Sequence, residues 1–330
     1  MNAETKSEQF YLASLLEPLS PWLDRSDVTD ILINRPGEVW VEYLTGQVTR
    51  EPVPKLGRVQ LERLARQIAA FSNQGISRAH PLLAATLPDG ARVQIVLPPA
   101  TRGEIAVAIR KHVVADISLA DYEAQGAFPA TRDLNAGSQR DPELQALFEA
   151  HRLNEMLALA VRQRRNILVS GGTSTGKTTF LNALLREVPS EERLVLIEDT
   201  PELRIKHENS VGLIAVRGEQ GESLVGANDL LITSLRMRPD RIILGEIRGS
   251  EAFTFLRAVN TGHPGSMTTI HADSPDRAIE QLALLVLQSG TQLRRADVID
   301  YVSTVIDVYV QLDRGLAGRC VSDVRLRAAK

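Results

Sequence analysis

The chain has 330 residues, of which 43% are apolar and 24% are charged, and its formal net charge at pH 7 is −3. This length accommodates two domains with separate cores, and the weakly negative charge gives no indication of direct nucleic-acid binding. A single cysteine, Cys320, excludes a disulfide framework and a four-thiolate zinc site and is typical of a reducing compartment. No apolar run approaches the ~18 residues of a membrane span, and the first residues lack the apolar core of a signal peptide. We therefore expect a cytoplasmic protein, with peripheral docking on a membrane complex left open.

The first part of the chain predicts a helix followed by short strands. Apolar residues at helical spacing predict a helix over 10–23. The period then changes to two, which predicts strands over 28–34 and 38–44, joined by a Pro-Gly turn. A third strand is predicted after Gly46.

The next residues continue this mixed pattern. An amphipathic helix is predicted over 60–73, a hairpin with an Asp-Gly turn over 86–98, and a strand over 104–112. Hairpin-connected strands pair antiparallel, so residues 1–114 are predicted to form a small α+β domain on an antiparallel sheet.

A change in composition marks the next segment. Residues 115–145 are polar and rich in Gly, Pro, Ala and charge, which predicts an interdomain linker, and a helix is predicted around 143–163. The remainder, 146–330, is predicted to be a second domain of α/β class, in which apolar strands alternate with helices. Its predicted strands cover residues 166–170, 193–199, 241–247 and 266–272, and its predicted helices cover residues 177–187, 224–236 and 250–260. Continuous apolar runs favour strands buried on both faces, hence a mainly parallel sheet covered by helices.

The stretch NILVSGGTSTGKTTF, residues 166–180, contains a phosphate-binding loop. The pattern G-x-x-x-x-G-K-[ST] falls on Gly171, Gly176, Lys177 and Thr178. Glycines recur because such a turn aims backbone N–H groups at a triphosphate in conformations that a Cβ would obstruct, and the following helix adds the positive end of its dipole. Lys177 is predicted to contact the β- and γ-phosphates of ATP, and Thr178 to ligate Mg²⁺. The predicted nucleotide-binding residues of the loop are Gly171, Gly172, Thr173, Ser174, Thr175, Gly176, Lys177, Thr178 and Thr179.

Two acidic segments follow predicted strands. In IEDTPEL, residues 197–203, Glu198 and Asp199 stand at a strand end, where they could orient a water or the hydration shell of the metal; ordinary solvated acids before a proline turn are the alternative. In LRMRPDRIILGEIRGSEA, residues 235–252, Glu246 follows a glycine at the end of an apolar strand. A carboxylate there can hold a Mg²⁺-bound water or polarise the attacking water, although P-loop proteins usually place Asp at this point.

Basic residues surround the second acidic segment. Arg236, Arg238, Arg241 and Arg248 crowd it, and one of them could stabilise transition-state charge, including on a neighbouring subunit, with plain surface charge as the alternative.

Two histidines occur in TGHPGSMTTIHA, residues 261–272. His271, at the end of a predicted strand, offers a donor and acceptor that could sense the γ-phosphate, whereas His263 lies in a Gly-Pro-Gly turn; for each, a structural role is the alternative. No cysteine stands nearby and the spacing fits no metal motif, so zinc is not predicted.

Taken together, these four motifs in this order resemble the secretion-superfamily ATPases, which carry a Walker A loop, an Asp box, an atypical Walker B and a His box. The stretches PWLDRSDVTDILINRPGEVWVEY and HPLLAATLPDGARVQIVLPP resemble the VirB11 branch, the traffic ATPases of type IV secretion and conjugation. The resemblance implies a RecA-like C-terminal domain, a homohexameric ring with nucleotide between the two domains, and rigid-body motion of the N-terminal domain on turnover. It also implies that Arg92 and Arg110 reach the phosphates, the alternative being outward-facing strand arginines.

The expected function is that of a Mg²⁺-dependent ATPase that energises type IV secretion, conjugative transfer or pilus assembly, together with inner-membrane components of the machine. Lys177, Glu246 and Glu198 are the predicted catalytic residues, with Glu246 preferred over Glu198 for activating water, and Thr178 and Glu246 are the predicted metal contacts. A type II secretion or type IV pilus ATPase is one alternative, although the missing four-cysteine module argues against the type II branch. A small-molecule kinase and a nucleotide-gated scaffold are the others; no acceptor lid is visible for the kinase.

Overall fold

The computed structural model describes residues 3–111, 123–124, 141–216, 221–315 and 318–327. Two β-sheets organise this part of the chain. The first has six strands, which are β1 (Val28–Ile33), β2 (Glu38–Tyr43), β3 (Val48–Pro52), β4 (Leu82–Thr86), β5 (Arg92–Val96) and β6 (Ala106–Arg110). Their order in the sheet is β3-β2-β1-β6-β5-β4, and every neighbouring pair is antiparallel.

The helices of this N-terminal unit are α1 (Ala3–Leu16), α2 (Ser20–Leu23) and α3 (Arg58–Phe71). The predicted continuous helix over 10–23 is wrong, because a 3₁₀ turn at Glu17–Leu19 separates α1 from α2. A proline stands at the start of each of these two short elements, and proline removes the N–H that a continuous helix would need. The prediction of a small α+β unit on an antiparallel sheet is confirmed.

Both faces of the first sheet are apolar, and they belong to different cores. Ile31 and Ile33 of β1 pack in the cluster that contains the apolar residues of α1 and α3. Leu32, between them, points to the opposite face and joins the buried cluster of the second unit, together with Ala106 and Ala108 of β6. The N-terminal sheet is therefore covered by its own helices on one face and by the C-terminal unit on the other.

The second sheet has seven strands, which are β7 (Ile167–Gly171), β8 (Leu194–Glu198), β9 (Ser210–Ile214), β10 (Arg241–Ile247), β11 (Met267–Ile270), β12 (Val308–Gly315) and β13 (Gly318–Leu326). Their order in the sheet is β13-β12-β7-β11-β10-β8-β9, and all neighbours are parallel except the β12–β13 pair. Its helices are α4 (Pro142–Glu149), α5 (Leu153–Arg162), α6 (Lys177–Leu185), α7 (Ala227–Ser234), α8 (Glu251–Asn260), α9 (Pro275–Gln288) and α10 (Arg295–Val305). The predicted mainly parallel α/β sheet is confirmed, although β9, β12, β13, α9 and α10 were not predicted.

Helices cover both faces of this sheet. Along β7, Ile167 and Val169 pack with α4, α5 and α6, whereas Leu168 packs in the cluster that contains α7 to α10. Because successive side chains point to opposite faces, a strand in this position must be apolar throughout. This explains the continuous apolar run before the glycine-rich loop.

The chain around the predicted linker differs in detail from the sequence expectation. The helix predicted over 143–163 is two helices, α4 and α5, separated at 150–152, where His151 has a φ of +53°. Helix α4 begins at Pro142, capped by the Asp141 side chain, so the last residues of the predicted linker are helical. Residues 115–122 and 125–140 lie outside the described part of the chain, and the domain limits 1–114 and 146–330 remain predictions.

Candidate nucleotide-binding site

The glycine-rich loop connects β7 to α6, as the strand-loop-helix prediction requires. Ser174 and Gly176 have φ angles of +63° and +93°, in the left-handed region that favours glycine. At Gly171, an added Cβ would lie 2.5 Å from the Thr175 hydroxyl oxygen and 2.9 Å from the carbonyl oxygen of Leu312. The loop is thus closely packed against β12 on one side, and its backbone conformation depends on glycine at both ends.

Lys177 extends from the first position of α6 into the loop. Its Nζ donates hydrogen bonds to the carbonyl oxygens of Gly171 and Gly172, both at 3.0 Å. Burial lowers the pKa of Lys177, and the negative charge of Glu246 partly opposes that shift. The ammonium therefore lies at the centre of the loop, where a phosphate-binding lysine is expected.

Glu246 and His271 meet beside this lysine. Glu246 lies near the end of β10 and His271 directly follows β11. These strands are parallel neighbours, so their carboxyl ends lie at one edge of the sheet. His271 Nε2 lies 2.9 Å from one Glu246 carboxylate oxygen, and the Arg248 guanidinium pairs with the other. The His271 ring nitrogens lie 3.3 and 3.4 Å from Lys177 Nζ. The structure thus joins Lys177, His271, Glu246 and Arg248 in one row of contacts.

Glu198 lies close by but is engaged in a different set of contacts. One carboxylate oxygen accepts hydrogen bonds from the backbone N–H groups of Glu202 and Leu203, at 2.9 and 2.8 Å. The other oxygen pairs with the guanidinium of Arg102, which comes from the N-terminal unit. With 5% of its surface exposed, Glu198 has both oxygens occupied by protein donors. Glu246 is also paired at both oxygens, but its side chain is 13% exposed against 4% for Glu198, which favours Glu246 over Glu198 as the group that contacts water.

Arg92 and Arg110 lie elsewhere in this chain. They are cross-strand partners on β5 and β6, both are exposed, and Arg110 Nε lies 3.4 Å from a carboxylate oxygen of Asp30. Together with Arg236 and Phe71 they line a pocket on the N-terminal sheet, and among the described residues its walls include none of the loop residues 171–179. Their predicted contact with the phosphates stays a prediction.

The other arginines of 235–252 divide into two groups. Arg241 is fully buried and forms two hydrogen bonds with Glu192, at 2.6 and 2.7 Å, while Arg238 pairs with Glu42 of the N-terminal unit. Arg238 lies before β10 and Arg241 is its first residue. Five residues of extended strand separate Arg241 from Glu246, a distance of about 16 Å along the strand. Only Arg248, of the four arginines, contacts the row at the loop.

His263 is likewise distant from the loop. Its Nδ1 lies 3.0 Å from the carbonyl oxygen of Pro239, and burial lowers the pKa of His263. These contacts favour a structural role for His263 over contact with the γ-phosphate.

Comparison with known proteins identifies the family. The family described as "Type II/IV secretion system protein" matches residues 14–325. The type IV secretion system protein VirB11 of Brucella suis is 41% identical over 94% of this chain and 88% of its own length, and VirB11 of Bartonella henselae is 40% identical over 91% and 88%. The chain belongs to the type II/IV secretion system protein family.

Within this family the fold agrees closely with one solved VirB11 structure. The crystal structure of the Brucella suis VirB11 ATPase, in complex with sulphate, has a TM-score of 0.91 and 39% identity and covers 98% of this chain and 97% of its own. The resemblance to the VirB11 branch is confirmed, and the chain is a secretion ATPase of that type. Its RecA-like C-terminal unit and smaller N-terminal unit are the fold expected of it.

Two arginines of this VirB11-type ATPase were missed in the sequence. Arg102, between β5 and β6, pairs with Glu198 and donates a 2.9 Å hydrogen bond to the carbonyl oxygen of Leu203, and burial lowers its pKa. Arg319, on β13, donates a 3.1 Å hydrogen bond to the carbonyl oxygen of Ser174 in the loop. Neither residue belongs to a local pattern, because each is brought to the site by a contact between distant segments.

The residues at the loop fit a nucleotide-bound Mg²⁺. Thr178 lies in the first turn of α6, and within the described part of the chain its hydroxyl makes no hydrogen bond. Among the same residues there is no group of three or more His, Cys, Asp or Glu side chains that could hold a metal by themselves. Mg²⁺ usually takes one or two protein oxygens and completes its shell with phosphate oxygens and water, so one hydroxyl with a nearby carboxylate suits it.

No helix in the described residues is long and apolar enough to cross a bilayer.

Proposed function

We propose that this chain is a Mg²⁺-dependent motor that assembles as a homohexamer and energises type IV secretion or conjugative transfer. The observation that carries the proposal is the row of contacts from Lys177 through His271 to Glu246, at the carboxyl edge of the parallel sheet beside a glycine-rich loop. Such an edge is where α/β proteins bind their ligands.

Phosphate binding begins at the loop. Backbone N–H groups at the start of α6 and the Lys177 ammonium together offer positive charge to the β- and γ-phosphates. To contact a γ-phosphate, Lys177 Nζ exchanges the carbonyl oxygens of Gly171 and Gly172 for phosphate oxygens. The Thr178 hydroxyl would hold Mg²⁺, which would supply positive charge to neutralise the phosphate chain.

Water activation falls to Glu246. Its carboxylate is fixed on one side by His271 and on the other by Arg248, so that it is held in one orientation. A carboxylate in this position accepts a hydrogen bond from the attacking water and aligns it with the γ-phosphorus. His271 contacts both Glu246 and Lys177, and it therefore couples occupancy of the loop to the position of the carboxylate.

Glu198 and Arg102 connect the site to the N-terminal unit. Glu198 occupies the space beside Gly245, where an added Cβ would lie 3.1 Å from Glu198 Cγ. A movement at β10 is thus transmitted through Glu198 to Arg102 and the N-terminal sheet. We propose this pair as the link between hydrolysis and motion of the N-terminal unit, with a cytoplasmic ring docked on inner-membrane components.

The test combines mass and turnover on one sample. Light scattering with Mg²⁺ and a non-hydrolysable ATP analogue is expected to give six times the chain mass of 36.3 kDa. Phosphate release from ATP is expected without any added acceptor, and Lys177→Ala should abolish it. Arg92→Ala and Arg110→Ala should lower turnover only in the assembled form, if these arginines reach a neighbour's phosphates. Phosphate transfer that requires a metabolite would overturn the motor in favour of a kinase.

A further inference from the structure

The strand pair β12–β13 brings exposed residues next to the phosphate-binding loop. Strand β12 runs parallel to β7 as far as Leu312, which is the register partner of Gly171. Beyond that point the strand pair continues past the edge of the sheet, with Asp313 to Gly315 on one strand opposite Gly318 to Cys320 on the other. This projection is the part of the C-terminal strand pair that flanks the loop.

Arg319 connects the projection to the loop. Its Nε donates a 3.1 Å hydrogen bond to the carbonyl oxygen of Ser174. Its Cδ lies 3.0 Å from the position that a Cβ on Gly176 would occupy, so the side chain rests against the glycine backbone. Within the described part of the chain, neither terminal nitrogen of this guanidinium has a hydrogen-bond partner.

The contact fixes the direction of one peptide unit. In a planar trans peptide the C=O of Ser174 and the N–H of Thr175 point in opposite directions. Because Arg319 holds the Ser174 oxygen on the side of the loop that faces β13, the Thr175 N–H is directed to the side away from β13. Ser174 has a positive φ without being glycine, a conformation that needs support from its surroundings.

We propose that Arg319 is a positioning residue for phosphate binding, which acts by holding the Ser174–Thr175 peptide in the orientation that directs its N–H to the bound phosphate chain. The inference rests on the proposed binding of nucleotide in this loop. It adds to that site a contribution from the C-terminal strand pair, in which Arg319 lies 145 residues further along the chain than Ser174.

The experiment measures binding and turnover separately for wild type and four variants. Arg319→Ala should weaken the binding of Mg²⁺-ADP and of inorganic pyrophosphate by about fivefold, since one charge-assisted hydrogen bond at an exposed site is lost. The kcat for ATP should change less than twofold, because the contact is made equally in the ground and transition states. Arg319→Gln, which can still donate a hydrogen bond but has no charge, should bind within twofold of wild type.

Arg314 provides the matched control. It is the cross-strand partner of Arg319, is exposed on the same strand pair and makes no side-chain hydrogen bond or ion pair within the described residues. Arg314→Ala should therefore bind pyrophosphate like wild type, and Arg319→Lys should fall between the Gln and Ala variants.

Several results would overturn the inference. Binding by Arg319→Ala within twofold of wild type would show that the contact contributes nothing. If Arg314→Ala weakened pyrophosphate binding as much as Arg319→Ala, the effect would be one of charge rather than of peptide orientation. The same would follow if Arg319→Lys kept the wild-type affinity while Arg319→Gln did not. A loss of kcat at unchanged affinity would place Arg319 in the chemical step. If wild type binds ADP but releases no phosphate, the proposed motor fails while this inference is still tested.

Discussion

Replacing Glu246 by Gln removes the carboxylate charge and leaves the shape of the side chain. The amide oxygen can still accept a hydrogen bond from Arg248, so the fold and the affinity for nucleotide should change little. The amide cannot take up a proton or polarise water as a carboxylate does. Loss of such a group typically lowers the rate by about 100- to 10,000-fold, which corresponds to about 3 to 5 kcal/mol of added activation free energy.

The assay separates binding from chemistry. A fluorescent ATP analogue measures the dissociation constant, which should remain within about threefold of wild type because Lys177 and the loop backbone are unchanged. Single-turnover phosphate release measures the chemical step, which should show the full loss. A variant that hydrolyses ATP at the wild-type rate would refute the assignment and move the catalytic role to Glu198.

Glu198→Gln serves as the comparison, because it changes a neighbouring carboxylate in the same way. It removes the negative charge opposite the Arg102 guanidinium in a largely buried position, where the Glu198 side chain is 4% exposed and that of Arg102 is 20% exposed. Breaking one partner of a buried pair costs about 3 kcal/mol, so this variant should lower the melting temperature more than Glu246→Gln does. Wild-type stability in Glu198→Gln would show that this ion pair does not stabilise the contact between the two units.

Two further predictions concern the stability of the fold. Leu32→Ala should lower the free energy of unfolding by about 2 to 5 kcal/mol, because this side chain is 1% exposed and joins the core of the C-terminal unit. Chemical denaturation measures this free energy. The control is Leu44→Ala, which should have almost no effect because Leu44 is 51% exposed. Burial lowers the pKa of His263 below its ordinary value of 6.5, so the stability it contributes is present above pH 6.5 and is lost as the pH falls through its folded-state value. Wild type should therefore lose stability relative to His263→Gln on acidification from pH 7.5, and parallel curves for the two proteins would contradict the assignment.

Much of the fold could be predicted because its signals are local. The strand at 241–247 was predicted with the bounds that the structure gives to β10, and the glycine-rich loop lies between a strand and a helix as its pattern requires. In both cases neighbouring residues alone determine the outcome, through apolar runs that suit a strand buried on both faces and glycines that suit positive φ.

Elements without such signals were missed or mispredicted. The break between α4 and α5 occurs at His151, whose positive φ is uncommon for a residue other than glycine. Arg238 and Arg241 were grouped with Arg248 because they lie close in sequence, yet they stand near the far end of β10 and pair with Glu42 and Glu192. Along an extended strand, five residues are enough to carry a side chain to the other edge of a sheet.

The sequence alone predicts the chemical groups of the site: a phosphate-binding loop, a carboxylate at the end of a buried strand and a histidine after the next, in a chain with two units. Which of these groups contact one another depends on the tertiary structure. Arg102 reaches Leu203 across 101 positions and Arg319 reaches Ser174 across 145, and these contacts depend on how the sheets and the strand pair pack. Local patterns encode backbone conformation over a few residues, whereas the pairing of distant side chains is fixed by the packing of whole elements.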